Sequence, residues 1–277
     1  MKKIFKWSFA VVLGSIGLTS CLKDDILLDP DKTTNVIELV NTSVPISPIT
    51  SEIIAFGNSF VASAESPLDI VVRYTGAHTA PEDITVNLTV DPSLITAYNT
   101  QNSKNYIALP SNLYTIPSLT VTIPKGGKEV VVPVKLRTNQ FDFSKAYALP
   151  LKIESVSSGI ISGNYGRALF AVGAKNQYDG DYTHTYVSTL GNGTNSVSMA
   201  TIDANSVRLV PGLLGVYSNA VTLTIDPATN RVTVAMTTLL PIATDPSSKY
   251  DPATKTFTLK WTSNGGARTF EETFVRK

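Results

Sequence analysis

The sequence predicts an all-β protein built from two antiparallel units. Three observations carry that reading. The chain has no sustained helical period; it has many short runs of alternating apolar and polar residues, broken by Pro, Gly, Asn and Asp. That is the pattern of strands and turns, not of strand–helix alternation. Its 277 residues suit two domains of ordinary size. Charged residues make up 16% of the chain, below the usual value of about 25%, while Ser, Thr and Asn are abundant. Such a hydroxyl- and amide-rich surface fits an extracytoplasmic β-protein better than a cytosolic helical enzyme.

The N-terminus carries an address. Lys2, Lys3 and Lys6 precede an apolar stretch from about Phe9 to Leu18. The stretch is short of the ~20 residues that span a bilayer, and reads as the core of a signal peptide over residues 1–20. Leu18-Thr19-Ser20-Cys21 resembles the bacterial lipobox, which implies lipidation of Cys21 and cleavage before it. One acyl chain binds a membrane marginally, and two or more anchor it. Lys23, Asp24 and Asp25 follow, similar to the surface-export signal of Bacteroidetes-type lipoproteins; the alternative is a plain solvated tether over residues 21–35. Removing Lys2, Lys3 and Lys6 takes the formal charge from +1 to −2. No basic stripe remains for a phosphate backbone, so nucleic acid is not an expected partner.

The first unit is expected over residues 36–174. "DIVVRYTG" (69–76) and "ITVNLTVDP" (84–92) read as strands, the second with Ile84, Val86, Leu88 and Val90 on one face. "DPSLITAYNTQ" follows as a short helix: Asp91 is a good N-cap, Pro92 suits the first helical position, and Leu94, Ile95 and Tyr98 form its apolar side. "LTVTIPKGGKEVVVPVKL" (119–136) reads as a hairpin turning at Lys125-Gly126-Gly127, with Pro133 placing its return strand at an edge or bulge. "YALPLKIESVSSG" (147–159) and "GRALFAVG" (166–173) supply further strands.

Together, Tyr98-Asn99, Leu109-Pro110, Tyr114, Ile123-Pro124…Gly126 and Tyr147…Leu149-Pro150 resemble a domain of unknown function. That domain is found at the N-terminus of Bacteroidetes surface lipoproteins, often encoded in glycan-utilisation loci. The resemblance covers residues 36 to 173 and implies an immunoglobulin-like β-sandwich. It brings no catalytic residues.

The polar link "GAKNQYDG" (173–180) leads to the second unit, expected over residues 178–277. Tyr178, Gly180, Tyr182, His184 and Tyr186 share one face of its opening strand. "LTIDPATNRVTVAM" and "SKYDPATKTFTLKW" repeat Asp-Pro-Ala-Thr at an interval of 25 residues. Asp and Pro open type I turns, so these are two hairpins of one meander; "GNGTN" (191–195) is spaced like a third turn. The length suits a small antiparallel barrel or sandwich. A Tyr-rich opening strand and a closing strand from Arg268 to Arg276 resemble, in layout, the lipocalin-like C-terminal domains that accompany the first unit.

The sequence carries no recognisable catalytic constellation. The single Cys is Cys21, and the two His, His78 and His184, lie 106 positions apart. That leaves no Cys/His metal cluster, no disulfide framework and no expected cofactor. His184, in a Tyr/Thr strand, reads as a surface or half-buried residue without a nucleophile signature. Asp179 and Asp181 share one side of a strand start, which suits a turn or cap better than a glycosidase pair. Binding has more candidates: sugar rings stack on aromatic faces and take amide, hydroxyl and charged partners. These are Tyr178, Tyr182, Tyr186, Tyr217 and Trp261, with Asn192, Asn195 and Arg268. Trp261 alternates with Phe257 and Leu259, which favours core packing, and Tyr182 and Tyr186 suit a barrel interior better than a surface site.

The expectation is a non-enzymatic, lipid-anchored protein of the outer-membrane surface that captures glycans beside an importer. The alternative is a structural or adhesive surface component without a small-molecule site.

Overall fold

The computed structural model describes residues 33–277; the signal peptide, Cys21 and Lys23-Asp24-Asp25 lie outside the described residues. The fold is nearly all β, as expected, with one α-helix among the described residues.

Residues 36–175 build a sandwich from β1 (Val36–Val40), β2 (Ile54–Val61), β3 (Ser66–Thr75), β4 (Ile84–Val90), helix α1 (Ser93–Asn102), β5 (Ile107–Ala108), β6 (Tyr114–Thr115), β7 (Thr120–Ile123), β8 (Glu129–Leu136), β9 (Tyr147–Val156), β10 (Ile160–Ile161) and β11 (Arg167–Lys175). One sheet runs β10-β1-β3-β8-β6 and the other β2-β11-β9-β4-β7, with β5 also on β9. The alternation seen in the sequence sends Ile37, Ile70, Val72, Val132 and Val134 from the first sheet against Val86, Leu149, Leu151, Phe170 and Val172 from the second. Phe56 and Phe170 stack at 5.6 Å within this core.

The helix forms where Asp91-Pro92 predicts it: Asp91 Oδ1 accepts from the Ser93 amide at 3.0 Å. The Ser93 hydroxyl, at 2.6 Å from the same oxygen, and that amide hold the Asp91 carboxyl below its ordinary pKa. Leu94, Ile95 and Tyr98 are buried on the outer face of the second sheet, over Ala55, Ala148 and Leu169.

The stretch 119–136 is not a hairpin. β7 pairs with β4, and β8 pairs with β3 and β6. The Pro-Lys-Gly-Gly turn carries the chain from one sheet to the other, because each arm finds a longer partner in its own layer. Pro133 sits opposite Asp69 of β3, beyond the reach of β6, so it costs the free side of β8 no ladder bond.

Residues 180–276 form β12 (Gly180–Ser188), β13 (Gly191–Asp203), β14 (Ser206–Val210), β15 (Val221–Ile225), β16 (Val232–Met236), β17 (Ala243–Thr244), β18 (Lys249–Asp251), β19 (Thr256–Ser263) and β20 (Arg268–Arg276). From β12 to β16 each strand pairs with the next in the chain, β17 and β18 both pair with β19, β19 pairs with β20, and β12 pairs with β20. The sheet curls until β16 meets the β17–β18 segment: Val234 N donates to Thr244 Oγ1 at 2.9 Å and Val232 N to the Ser248 carbonyl at 3.0 Å. The result is a nearly closed up-and-down barrel.

Both Asp-Pro-Ala-Thr copies turn hairpins of this meander. In each, the Asp accepts from the amide two residues on, at 2.9 Å. The polar link is stitched to the barrel: Asn176 is buried and donates to the carbonyls of Asp203 and Ser206 at 2.8 and 2.9 Å. "GNGTN" belongs to strand β13, and the turn lies at Thr189-Leu190.

Candidate functional site

The barrel interior is filled from strands all round the sheet, with its aromatic side chains concentrated on β12, β18, β19, β20 and the turn before β12. Tyr178, Tyr182, Tyr250 and Phe257 pack edge-on near the link, with Tyr178–Tyr250 and Tyr182–Phe257 centroids 5.0 and 5.8 Å apart. Tyr182 Oη donates to the Tyr178 carbonyl at 2.8 Å. Burial pushes the Tyr182 hydroxyl well above its ordinary pKa.

Further along the strands lies a buried polar layer. Trp261 Nε1 donates to Glu272 Oε2 at 2.6 Å. His184 Nε2 stands 2.9 Å from Glu272 Oε1, a close contact that is off the direction of a proper hydrogen bond. His184 stacks on Phe274 at 4.0 Å, and Trp261 on Phe270 at 3.9 Å. The buried Ser263 hydroxyl and His184 Nδ1 have no protein partner.

This arrangement corrects four expectations. Tyr178, Tyr182 and Trp261 are at most 1% exposed, so they offer no ring face at the surface. Tyr182 and Trp261 belong to the apolar face that the curled sheet turns inward, and Tyr178 caps it from the turn before β12. His184, expected near the surface, is wholly buried. Its partner Glu272 went unrecognised, although "TFEETFV" signals it: Glu272 shares the inward period of Phe270 and Phe274.

Asp179 and Asp181 have structural partners. Asp179 Oδ2 accepts from Thr201 N and Oγ1 at 2.8 and 2.9 Å, and Oδ1 lies 3.1 Å from Lys175 Nζ. Burial works to raise the Asp179 pKa, but these donors outweigh it and hold it below the ordinary value. Asp181 accepts from the Ser198 hydroxyl at 2.6 Å. Among the described residues no three His, Cys, Asp or Glu side chains group to hold a metal. No helix there is long and apolar enough to cross a membrane.

The remaining candidates gather at the end of the barrel opposite the link, where four loops meet: 188–191, 211–220, 237–242 and 264–267. Asn219 Nδ2 donates to Thr238 Oγ1 at 2.9 Å, and Asn264 N to the Leu239 carbonyl at 2.8 Å, tying neighbouring loops together. Leu213 and Leu214 plug the barrel beneath them, and Asn195 Nδ2 holds the Leu214 carbonyl at 2.8 Å. This anchored loop carries Tyr217, 44% exposed, beside the exposed Val216; Leu240 is exposed on the next loop. Asn192 is exposed, Arg268 half-buried, and Tyr186 half-buried with its hydroxyl over Gly193. The structure therefore brings Tyr186, Tyr217, Asn192, Asn195 and Arg268 to one end of the barrel.

Comparisons with known proteins fit this architecture. A family model described as DUF7015, a domain of unknown function, matches residues 180–277. A second model, described as an N-terminal domain, matches residues 48–160. No curated protein matches the chain. A protein of unknown function from Bacteroides ovatus is 15% identical with a TM-score of 0.55, covering 88% of this chain and 95% of that one. A multidomain protein including DUF1735, also from Bacteroides ovatus, is 13% identical with a TM-score of 0.47, over 87% and 92% of the two chains. An auxiliary nutrient binding protein from Bacteroides thetaiotaomicron is 14% identical with a TM-score of 0.43, over 80% and 89%. At such identities the likeness concerns fold alone, and the match at 0.55 is the one that carries it.

Proposed function

We propose that this chain is a non-catalytic, lipid-anchored surface protein that captures glycans at the loop-bearing end of its barrel, beside an outer-membrane importer. The observation that supports this reading is the presentation of Tyr217. Its loop is plugged into the core by Leu213 and Leu214 and tied to the next loop through Asn219. The ring is held out with little left to order on binding, which favours affinity. Exposed apolar neighbours suit the ring face of a sugar, and Asn192 and Arg268 suit its hydroxyls. The lipobox and export motif supply the address, and the resemblance of the first unit to proteins of glycan-utilisation loci supplies the ligand class.

Affinity-gel electrophoresis of residues 22–277 against a polysaccharide panel tests it. At least one polysaccharide should retard the protein, and Tyr217→Ala should weaken that about 3- to 10-fold, the range for losing one aromatic contact. Free migration on every gel, or retardation that ignores Tyr217→Ala, defeats the reading.

A further inference from the structure

On the outer face of the β2-β11-β9 sheet, α1 packs over Ile53, Ala55, Ala148 and Leu169. The next rows toward the barrel are built from residues with almost no side chain. Gly57 pairs with Ala171, and Ser59 with Gly173. They floor a groove of about 340 Å³, walled by Ile46 and Tyr106 and edged by Lys145. An open volume of this size is at the lower end of small-ligand sites.

The floor is open backbone at Gly173, where an ideal Cβ would meet nothing nearer than Ser59 Oγ at 3.9 Å; Gly57 is covered by Ile46, whose Cγ2 would stand 2.9 Å from a Cβ there. Packing therefore does not require glycine at 173. Its φ lies outside the left-handed region, so backbone conformation does not require it either. In a strand, a glycine without either reason weakens the sheet, and close approach of a ligand is a standing alternative reason.

The walls and edge define what fits. Ile46 and Tyr106 offer apolar surface to a flat ring. Lys145 is the one charged residue lining the groove, and no carboxylate lines it. Asp142, on the same turn as Lys145, spends Oδ1 on the Ser144 amide and hydroxyl at 2.9 and 2.7 Å, although its charge also lies within electrostatic reach of Lys145. A ring with an apolar face and a negative charge complements this set.

We propose that this groove of the first domain seats a carboxylated sugar ring of the uronic acid type, with the ring on the open floor at Gly173 and Ser59, beside Ile46, and the carboxylate on Lys145. The choice of ligand class rests on the glycan-capture reading; the site is separate from the barrel loops.

The test is calorimetric titration of residues 22–277 with a short oligogalacturonate and with a neutral oligosaccharide of equal length. The oligogalacturonate should bind, the neutral sugar should bind at least about tenfold more weakly, and raised salt should weaken the acidic ligand. Lys145→Ala should cost about tenfold or more, the loss of a charge-assisted contact. Gly173→Val should abolish binding by filling the floor, while melting at or above the parent temperature, since Val favours strands. Should Gly173→Val fail to fold, Lys145→Ala decides the question alone. No binding of oligogalacturonate, or binding unchanged by Lys145→Ala, overturns the inference. Binding lost in Tyr217→Ala but kept in the groove variants assigns the sugar to the barrel loops; it overturns this inference and leaves the glycan reading standing. Polysaccharide retention without oligogalacturonate binding has the same effect. Loss of all binding defeats both.

Discussion

Replacing Glu272 by Ala should unfold the barrel well before the parent. The carboxylate is 4% exposed and serves two buried groups: Trp261 Nε1 at 2.6 Å and His184 Nε2 at 2.9 Å. Truncation leaves the indole N–H without its acceptor, at about 1–3 kcal/mol for an orphaned buried donor. It also leaves the imidazole without its carboxylate and opens a void. Removing one partner of a buried pair costs about 3–5 kcal/mol in total. For a unit of this size 1 kcal/mol moves the midpoint by about 4–8 °C, so the shift should exceed about 12 °C. The chain has two Trp, Trp7 and Trp261, so in residues 22–277 the fluorescence reports Trp261 alone and follows the barrel. Glu272→Gln keeps the volume and one acceptor, and should cost less than Glu272→Ala. A loss below about 1 kcal/mol for Glu272→Ala in urea melts followed by this fluorescence would refute the argument that the layer is tightly coupled.

Three further outcomes are expected. Burial raises the Tyr182 pKa above its ordinary value of 10.0, so its neutral form is favoured by folding. The stability it contributes is whole below pH 10 and lost as pH rises through the folded value. Alkaline absorbance titration should show a tyrosine component ionising only with barrel unfolding, and Tyr182→Phe should reduce that component by one tyrosine. Gly212 has φ +144, and an ideal Cβ there would lie 2.5 Å from the carbonyl oxygens of Tyr217 and Asn219; Gly212→Ala should cost about 1–3 kcal/mol and expose the loop to protease, and an unaltered digestion pattern counts against the anchored-loop account. Cys21→Ala should release the protein from the membrane fraction, and alanines at Lys23, Asp24 and Asp25 should end protease shaving on intact cells; shaving that persists removes the export reading.

Much of this molecule was legible in the chain. The period of two picked out the strands and told which residues share a face, so Tyr182, His184 and Tyr186 lie on one side of β12 as expected, while Tyr178, expected on the same strand, sits in the turn before it. Asp-Pro turns and Asp91-Pro92 acted locally, through a side chain accepting from an amide two residues on, and local chemistry reads directly from sequence. The period does not say which side is inside. Tyr and Trp carry an apolar body with a polar tip and suit either place, and curling the sheet into a barrel turned Tyr178, Tyr182 and Trp261 inward. Nor does it choose partners: the arms on either side of Lys125-Gly126-Gly127 joined different sheets because longer strands elsewhere bound them. The His184–Glu272 contact spans 88 positions, and the Gly57–Gly173 floor joins residues 116 apart. Strand identity was a property of neighbours along the chain. Pairing, inside and outside, and the two candidate ligand surfaces were decided by which distant strands closed over which.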